Sequence, residues 1–213
     1  FNAARLQDEL LLQWDMSLTR TFPPLSLASL RYPEWFVKAV DGSFLYLPSV
    51  LAVFGAYLFQ ARQKLFREAA GAFFVSAVAA FALWIAFPVM SPHDRFIDNV
   101  YRLPIQASVQ SYVDAYHPQE EIASFLQRMR EDKKDLRVFP TSTFPSAHVV
   151  WAVFFVYYSW RVRRWLVFVS VPFALFSSCG TVLFAQHYFV DIPAGVGVAL
   201  LSIATARYAA RGN

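Results

Sequence analysis

The chain has few of the side chains that form disulfides or bind metals. Its 213 residues include one cysteine and four histidines. Because Cys179 has no partner in the chain, an intrachain disulfide is excluded, and cysteine usage carries no information on the redox compartment. No His/Glu pair stands at the spacing typical of zinc sites. We therefore predict no metal and no other cofactor.

Charged residues are also scarce. They make up 16% of the chain, whereas 57% of the residues are apolar and 22 are Phe. The mean hydropathy of +0.37 is too high for an ordinary soluble domain and indicates a membrane protein. The net charge of +4 comes without a basic stripe of interleaved aromatics, so nucleic-acid binding is not expected.

Five stretches have about the 20 mostly apolar residues that a membrane span requires. They lie between Asp41 and Arg62, between Glu68 and Asp94, and over 138–160, 165–186 and 188–206. We predict an all-α integral membrane helical bundle with five spans, and a sixth span upstream of Phe1 is left open. A large soluble helical core is the alternative, but repeated runs of this length disfavour it.

Basic residues cluster in connections that five spans would place on one side. The clusters are Arg62, Lys64 and Arg67, then Arg161, Arg163 and Arg164, then Arg207 and Arg211. The positive-inside rule makes that side cytoplasmic. The segments 88–95, 141–148 and 187–191 then converge on the opposite face. We expect a plasma-membrane or inner-membrane protein whose site faces the periplasm, the exterior or a lumen.

Two segments complete the predicted organisation, in which 43–213 is the membrane bundle. Residues 1–42 are interpreted as an interfacial amphipathic arm, and the alternative is an arm that only packs on the bundle. Residues 93–140 form a long outer-face loop, interpreted either as a lid over the site or as a solvated connection. Each contains an apolar helical stripe: Leu6, Leu10, Trp14 and Leu18 in the arm, and Ile122, Phe125, Leu126 and Met129 in the loop.

His187 and Asp191 stand at positions i and i+4 where an apolar run begins. On a helix they would share a face, so the carboxylate could accept Nδ1–H of the imidazole and leave Nε2 able to attack. Ionisable residues in membrane segments are costly and therefore indicate function. The alternatives are a polar pair that caps a helix and a polar path through a channel or transporter.

His148 follows residues that favour the start of a helix. Pro145 suits a first helical turn and residues 141–143 offer capping oxygens, so we predict a helix that begins near Phe144. Its N-terminal N–H groups would favour an anion such as phosphate. His148 could then protonate a leaving oxygen and later accept a proton. A buried histidine bonded to a neighbouring loop is the alternative.

Arg95 ends a proline-containing segment, 87–95, at the outer end of the second predicted span. Its guanidinium could bind phosphate oxygens through two N–H groups. Snorkelling to lipid headgroups is an equally acceptable interpretation. Arg102 and Arg137 are further candidates of the same kind.

Together these motifs resemble the type-2 phosphatidic acid phosphatase superfamily of lipid phosphate phosphatases and phosphotransferases. Residues 145–148, Pro-Ser-Ala-His, match that family's Pro-Ser-Gly-His with Ala147 in place of glycine, and His187 and Asp191 match its third motif. The arginine of the third motif falls on Thr181, and the segment 87–95 replaces the family's Lys–Arg-Pro motif. These features resemble the aureobasidin-resistance or inositol phosphorylceramide synthase-like branch.

The resemblance implies a role for each residue. His187 would be the nucleophile that forms a phosphohistidine, Asp191 would orient it, and His148 would be the general acid and then the base. Ser146 and Ala147, together with Arg95, would bind phosphate. No metal is implied. Because a phosphodiester carries one negative charge and a phosphomonoester nearly two, the missing arginine favours a diester donor.

The predicted function is therefore that of a membrane-embedded lipid phosphotransferase or phosphatase acting on a phospholipid or lipid phosphate, with headgroup transfer onto a lipid hydroxyl favoured. A plain phosphatase for phosphatidate or a prenyl pyrophosphate is the alternative, and a non-catalytic channel or scaffold is the second. The expected partners are the lipid substrate and the bilayer, and homo-oligomer formation is left open.

Overall fold

A computed structural model describes residues 6–135 and 143–211. The helices are α1 (Asp8–Thr19), α2 (Pro23–Ala28), α3 (Glu34–Ala61), α4 (Gln63–Ala86), α5 (Ala107–Asp114), α6 (Glu120–Asp135), α7 (Ala147–Val162), α8 (Val167–Leu183) and α9 (Asp191–Arg211). A π-helical turn, His93–Ile97, follows α4, and a 3-10 turn, Arg164–Leu166, precedes α8. The described residues contain no β-strand, so the predicted all-α class is confirmed.

Four helical segments in the described ranges are long and apolar enough to cross a membrane. They are Glu34–Ala61, Gln63–Ala86, Arg164–Leu183 and Asp191–Ala210. The predicted stretch 138–160 contributes only the 16-residue α7, which is about 24 Å long against a hydrocarbon core of about 30 Å. The membrane bundle is thus confirmed with four candidate spans where we predicted five, because α7 begins at Ala147, well inside its predicted stretch.

The short helix α7 contacts α3, α4, α8 and α9. Val150, Phe154 and Tyr158 recur every four residues and therefore line one face of α7. They are buried in a cluster that also contains Ala72 of α4 and Ala199 of α9. This packing places the N-terminus of α7 at the end of the bundle where α4 ends and α9 begins.

The N-terminal arm packs on the same end of the bundle. The residues of α1 that are buried are Asp8, Leu11, Leu12 and Asp15. The predicted stripe is turned the other way, since Trp14 is 42% exposed and Leu18 is 66% exposed. The inward face combines two leucines with two carboxylates, and these carboxylates accept hydrogen bonds from backbone N–H groups of distant segments. The first candidate span begins at Glu34, within the segment predicted as the arm.

The long loop carries α5 and α6. The predicted apolar face of α6 is confirmed, because Ile122, Phe125 and Leu126 are buried against α3 and the end of α8. The Phe125 ring stacks on Phe184 at 3.8 Å and meets Phe44 edge-on at 5.6 Å. Helix α6 therefore covers the part of α3 that contacts His148. The end of the predicted loop, 136–140, lies outside the described residues.

Candidate functional site

Three segments that are distant in sequence meet at one end of the bundle. One follows α4, one precedes α7, and one connects α8 to α9. The hydroxyl of Thr143 donates to the Val89 carbonyl at 2.8 Å, and the His93 N–H donates to the Ala185 carbonyl at 2.9 Å. The structure thus brings together the three segments that the sequence predicted to converge.

His187 and Asp191 form a direct pair. His187 lies in the connection before α9 and Asp191 is the first residue of that helix. Nδ1 of His187 lies 3.0 Å from Oδ2 of Asp191, and the Tyr188 N–H donates to the same oxygen at 3.0 Å. The predicted pair is therefore present, but the prediction of a shared helix face is wrong. The chain turns at Tyr188 instead, and the carboxylate stabilises that turn.

The turn is also held from α8. The N–H groups of Gln186 and His187 both donate to the carbonyl of Thr181, at 3.0 and 2.9 Å. Thr181 occupies the position where the family motif would have arginine, and it is fully buried. Its backbone thus fixes the start of the connection that carries His187, while its side chain supplies no positive charge.

His148 is the second residue of α7 and packs against α3. Its ring stacks on Phe44 with centroids 4.1 Å apart, and its Nε2 lies 3.2 Å from the Phe44 carbonyl oxygen. In a helix that oxygen would accept the N–H of the residue four positions later, which is Pro48 and has none. His148 thus occupies an acceptor that Pro48 leaves open. His148 and His187 are close enough to interact electrostatically.

The start of α7 differs from the prediction. Ser146 is the N-cap, and its hydroxyl oxygen accepts the Val149 N–H at 3.4 Å. The predicted start near Phe144 is therefore two to three residues early. Thr143, one of the predicted caps, instead bonds Val89, and residues 141–142 lie outside the described part. Ser146 is fully buried, and Ala147 begins the helix beside it.

Gly195 lets α9 approach the start of α7. A Cβ at this position would lie 2.8 Å from the Ser146 carbonyl oxygen and 3.0 Å from Cβ of Val149. Any side chain larger than hydrogen would force the two helix starts apart. The close contact therefore accounts for the proximity of the Ser146–His148 segment to Asp191, one turn before Gly195.

Arg95 is buried in the π-helical turn. Its Nη2 donates to the Pro104 carbonyl at 2.8 Å, while Nη1 is buried and has no hydrogen-bond partner among the described residues. Its charge acts on Asp8 and Tyr188, which places it beside the connection that carries His187. Arg102 is exposed, and Arg137 lies outside the described ranges.

A group of possible cation ligands was not predicted from the sequence. His93, Asp94 and Asp98 place ligand atoms within 4.8 Å of one another. Their spacing is unlike that of zinc motifs, so a sequence pattern did not indicate them. Asp98 forms an ion pair with Arg130, and Oδ2 of Asp98 lies 3.6 Å from Nδ1 of His93.

Asp8 is a further residue that the sequence interpretation missed. Its Oδ1 accepts the Met90 N–H at 2.9 Å and the Tyr188 hydroxyl at 3.1 Å. Burial raises the pKa of Asp8 to about 6, although these hydrogen bonds and the nearby Arg95 oppose the shift. Burial likewise raises the pKa of Tyr188. Asp8 therefore joins the segment after α4 to the connection before α9.

Asp15, two turns further along α1, was also missed. Its Oδ2 accepts the Phe189 N–H and its Oδ1 accepts the Val190 N–H, both at 2.9 Å. Burial raises the pKa of Asp15 to about 6, and the charge of Asp191 adds to that shift. The available signal was the spacing of Asp8, Leu11, Leu12 and Asp15, which puts both carboxylates on a helix face with two leucines.

An apolar groove adjoins the site. It lies between α3, α4 and α7 and has a volume of about 320 Å³. Pro48 and Trp151 are among its lining residues, and the Trp151 ring lies 5.4 Å from that of His148. A hydrocarbon chain in this groove would therefore end near His148.

A family model described as the PAP2 superfamily matches residues 6–205. The matched region includes α1 as well as every segment of the site described above. No curated protein and no solved structure matches the chain.

Proposed function

Because the chain belongs to the PAP2 superfamily, whose activity is of the lipid phosphatase and phosphotransferase type, we propose that it transfers phosphate-containing groups on lipids through a phosphohistidine at His187. The observation that carries this proposal is the 3.0 Å contact between Nδ1 of His187 and Oδ2 of Asp191. This contact orients the imidazole of His187. A second histidine, His148, and the N-terminus of α7 lie near it.

The first step is attack by Nε2 of His187 on phosphorus. Asp191 accepts the Nδ1–H, which selects the tautomer with an unprotonated Nε2 and stabilises the ring as it becomes positive. An N–P bond forms and the bond from phosphorus to the leaving oxygen breaks. His148 enters this step with both ring nitrogens protonated and donates one proton to that oxygen, which leaves a neutral imidazole. With Nε2 of His148 on the Phe44 carbonyl, Nδ1 is the nitrogen that exchanges this proton.

The second step returns both histidines to their starting states. The hydroxyl of water or of an acceptor lipid attacks phosphorus and loses its proton to His148, while the N–P bond to His187 breaks. Water gives free phosphate or a headgroup phosphate, and a lipid hydroxyl gives a new phospholipid. The chemistry requires no metal and no cofactor.

Phosphate binding is assigned to the start of α7 and to Arg95. Backbone N–H groups in the first turn of a helix favour an anion, and Ser146 and Ala147 stand at that turn. The buried Nη1 of Arg95 supplies a charged donor whose hydrogen bond is unmade among the described residues. Since Thr181 replaces an arginine, a singly charged phosphodiester matches this set of donors better than a monoester.

We favour headgroup transfer over hydrolysis because apolar elements surround the site. The groove between α3, α4 and α7 suits a lipid chain. The aromatic contacts of α6 with Phe44 and Phe184 cover the helix face behind His148. Limited access of water would let a lipid hydroxyl compete for the phosphohistidine. The basic ends of the helices lie opposite the site, so we place the site on the periplasmic, extracellular or lumenal side.

The test is mass spectrometry of the products formed by purified protein and by His187→Ala. The panel contains phosphatidylinositol, phosphatidylethanolamine, phosphatidic acid and a prenyl pyrophosphate, with diacylglycerol and ceramide as acceptors. A new phospholipid made only by the wild type supports headgroup transfer. Free phosphate with a dephosphorylated lipid makes the protein a phosphatase. Identical products from both proteins would contradict catalysis through His187.

A further inference from the structure

The hydrogen-bond partners of the turn before α9 identify a role for α1. The N–H of His187 donates to Thr181 and that of Tyr188 to Asp191. The next two N–H groups, of Phe189 and Val190, both donate to Asp15. Four consecutive backbone donors are thus satisfied, and one carboxylate on another helix satisfies half of them.

These two donors lie in the turn immediately before α9 and have no acceptor one helical turn earlier. They precede α9, and the N–H groups at a helix start have no carbonyl one turn earlier to bond. Asp15 therefore acts as a cap that α1 supplies to the start of α9, through the N–H of Phe189, which is 174 positions away along the chain. Its negative charge is also favourable at the positive end of the α9 dipole.

We propose that Asp15 is a positioning residue, which holds the turn at Phe189 and Val190 so that Asp191 meets His187 in the reactive geometry. This inference rests on the proposed function of His187. Phe189 and Val190 are the two residues immediately before Asp191, so their placement determines where its carboxylate stands. A shift of about 1 Å in a catalytic group can lower a rate about a hundredfold.

A purely structural explanation accounts poorly for this arrangement. Asp15 is fully buried, and Asp191, a second fully buried carboxylate, is close enough to raise its pKa. Placing two such groups together is costly. Asp8, on the same face of α1, bonds Met90 and Tyr188, so α1 connects the segment that carries Arg95 to the turn that carries His187.

The decisive variant is Asp15→Asn, which keeps the size of the side chain but has one acceptor oxygen instead of two. We expect its kcat to fall about 10- to 100-fold while KM changes less than about twofold, because Asp15 is fully buried and its carboxylate bonds the backbone of the turn. Glu9→Gln removes an exposed carboxylate from the same helix and should behave as wild type. The assay uses dioctanoyl phosphatidylinositol and dioctanoyl phosphatidic acid in detergent.

A second measurement does not depend on turnover. In protein labelled with ¹⁵N-histidine, the ring shifts of His187 report its tautomer, and His187→Ala assigns them. We expect the Nδ1–H tautomer in the wild type and in Glu9→Gln, and a mixture of tautomers in Asp15→Asn. If Asp15→Asn cannot be purified, Asp15→Glu, which keeps both acceptor oxygens on a longer stem, should fold and give an intermediate mixture.

An unchanged tautomer together with an unchanged kcat in a folded Asp15 variant would overturn the positioning role. The His187→Ala control separates this failure from failure of the proposed function. An inactive His187→Ala beside a fully active Asp15→Asn rejects only the role of Asp15. An active His187→Ala rejects the proposed function itself.

Discussion

Pro48 and His148 are connected through a single carbonyl oxygen. Pro48 has no N–H to give to the Phe44 carbonyl in α3, and Nε2 of His148 lies 3.2 Å from that oxygen. A proline in the interior of a candidate span thus has a local consequence for the site, because it leaves an acceptor that orients a candidate acid–base residue.

Pro48→Ala should therefore raise stability and lower activity. The new N–H can bond the Phe44 carbonyl, and removal of an interior proline stabilises a helix by up to about 3 kcal/mol. His148 then loses its exclusive acceptor, and we expect kcat to fall roughly 3- to 10-fold. Thermal unfolding in detergent and steady-state kinetics measure the two effects.

The matched control is Pro172→Ala in α8. Pro172 is also a proline inside a helix, but the residue four positions earlier, Phe168, is 80% exposed and lies away from the site. This variant should gain stability without losing activity. An equal loss of activity in both variants would show that the loss comes from removing a proline from a helix, and not from competition for the acceptor of His148.

Gly195→Ala should separate the starts of α7 and α9. Its Cβ would lie 2.8 Å from the Ser146 carbonyl oxygen, so the backbone must shift. Because a shift of about 1 Å can cost about a hundredfold in rate, we expect kcat to fall by roughly that factor. Gly197→Ala meets nothing within 4 Å and should keep full activity. If both variants had the same kcat, the close approach of Gly195 to Ser146 would not be needed for activity.

Arg95→Ala should weaken substrate binding. If Nη1 bonds a phosphate oxygen, its loss removes a charge-assisted hydrogen bond of about 1.5–3 kcal/mol, which corresponds to a rise in KM of roughly 10- to 100-fold. Arg102→Ala removes an exposed arginine from the same region and should change KM less than about twofold. The kinetics of both variants on the preferred lipid give the comparison, and reversed effects would assign phosphate binding to Arg102.

Asp15 should also make stability depend on pH. Its pKa is about 6 in the folded protein against an ordinary value of 3.8, so the folded state holds the proton more tightly between these values. The free energy of unfolding therefore falls as pH rises from about 4 to about 6 and levels off above that. Asp15→Asn lacks this contribution. The unfolding temperature of the wild type relative to Asp15→Asn should thus be higher at pH 4.5 than at pH 7, and an opposite trend would contradict the assignment.

The sequence predicted the parts of the fold that depend on hydrophobic runs and on local chemistry. The all-α membrane class, the apolar face of α6 and the pairing of His187 with Asp191 follow from composition and from spacing in the chain. We predicted that the segments 88–95, 141–148 and 187–191 converge because five spans would place them on one side. They do converge, although α7 is shorter than a full span.

The parts that could not be predicted depend on contacts between distant residues. Whether Thr143 caps α7 or bonds the Val89 carbonyl is decided by the neighbouring segment, so the helix start was placed too early. Asp8 and Asp15 looked like ordinary polar residues of an amphipathic helix. Their spacing puts both on a face with two leucines, but what makes their burial favourable is a set of backbone donors more than 80 residues away, which the sequence of the helix does not show.

The central claim is that phosphorus becomes bonded to His187 during turnover. The most direct measurement is mass spectrometry of peptides from protein that was mixed with its donor lipid, quenched within milliseconds and kept alkaline to preserve phosphohistidine. We predict a phosphate-containing group on His187 in the wild type, and none at that position in His187→Ala. Turnover without modification of His187, or with the group on another residue, would contradict it.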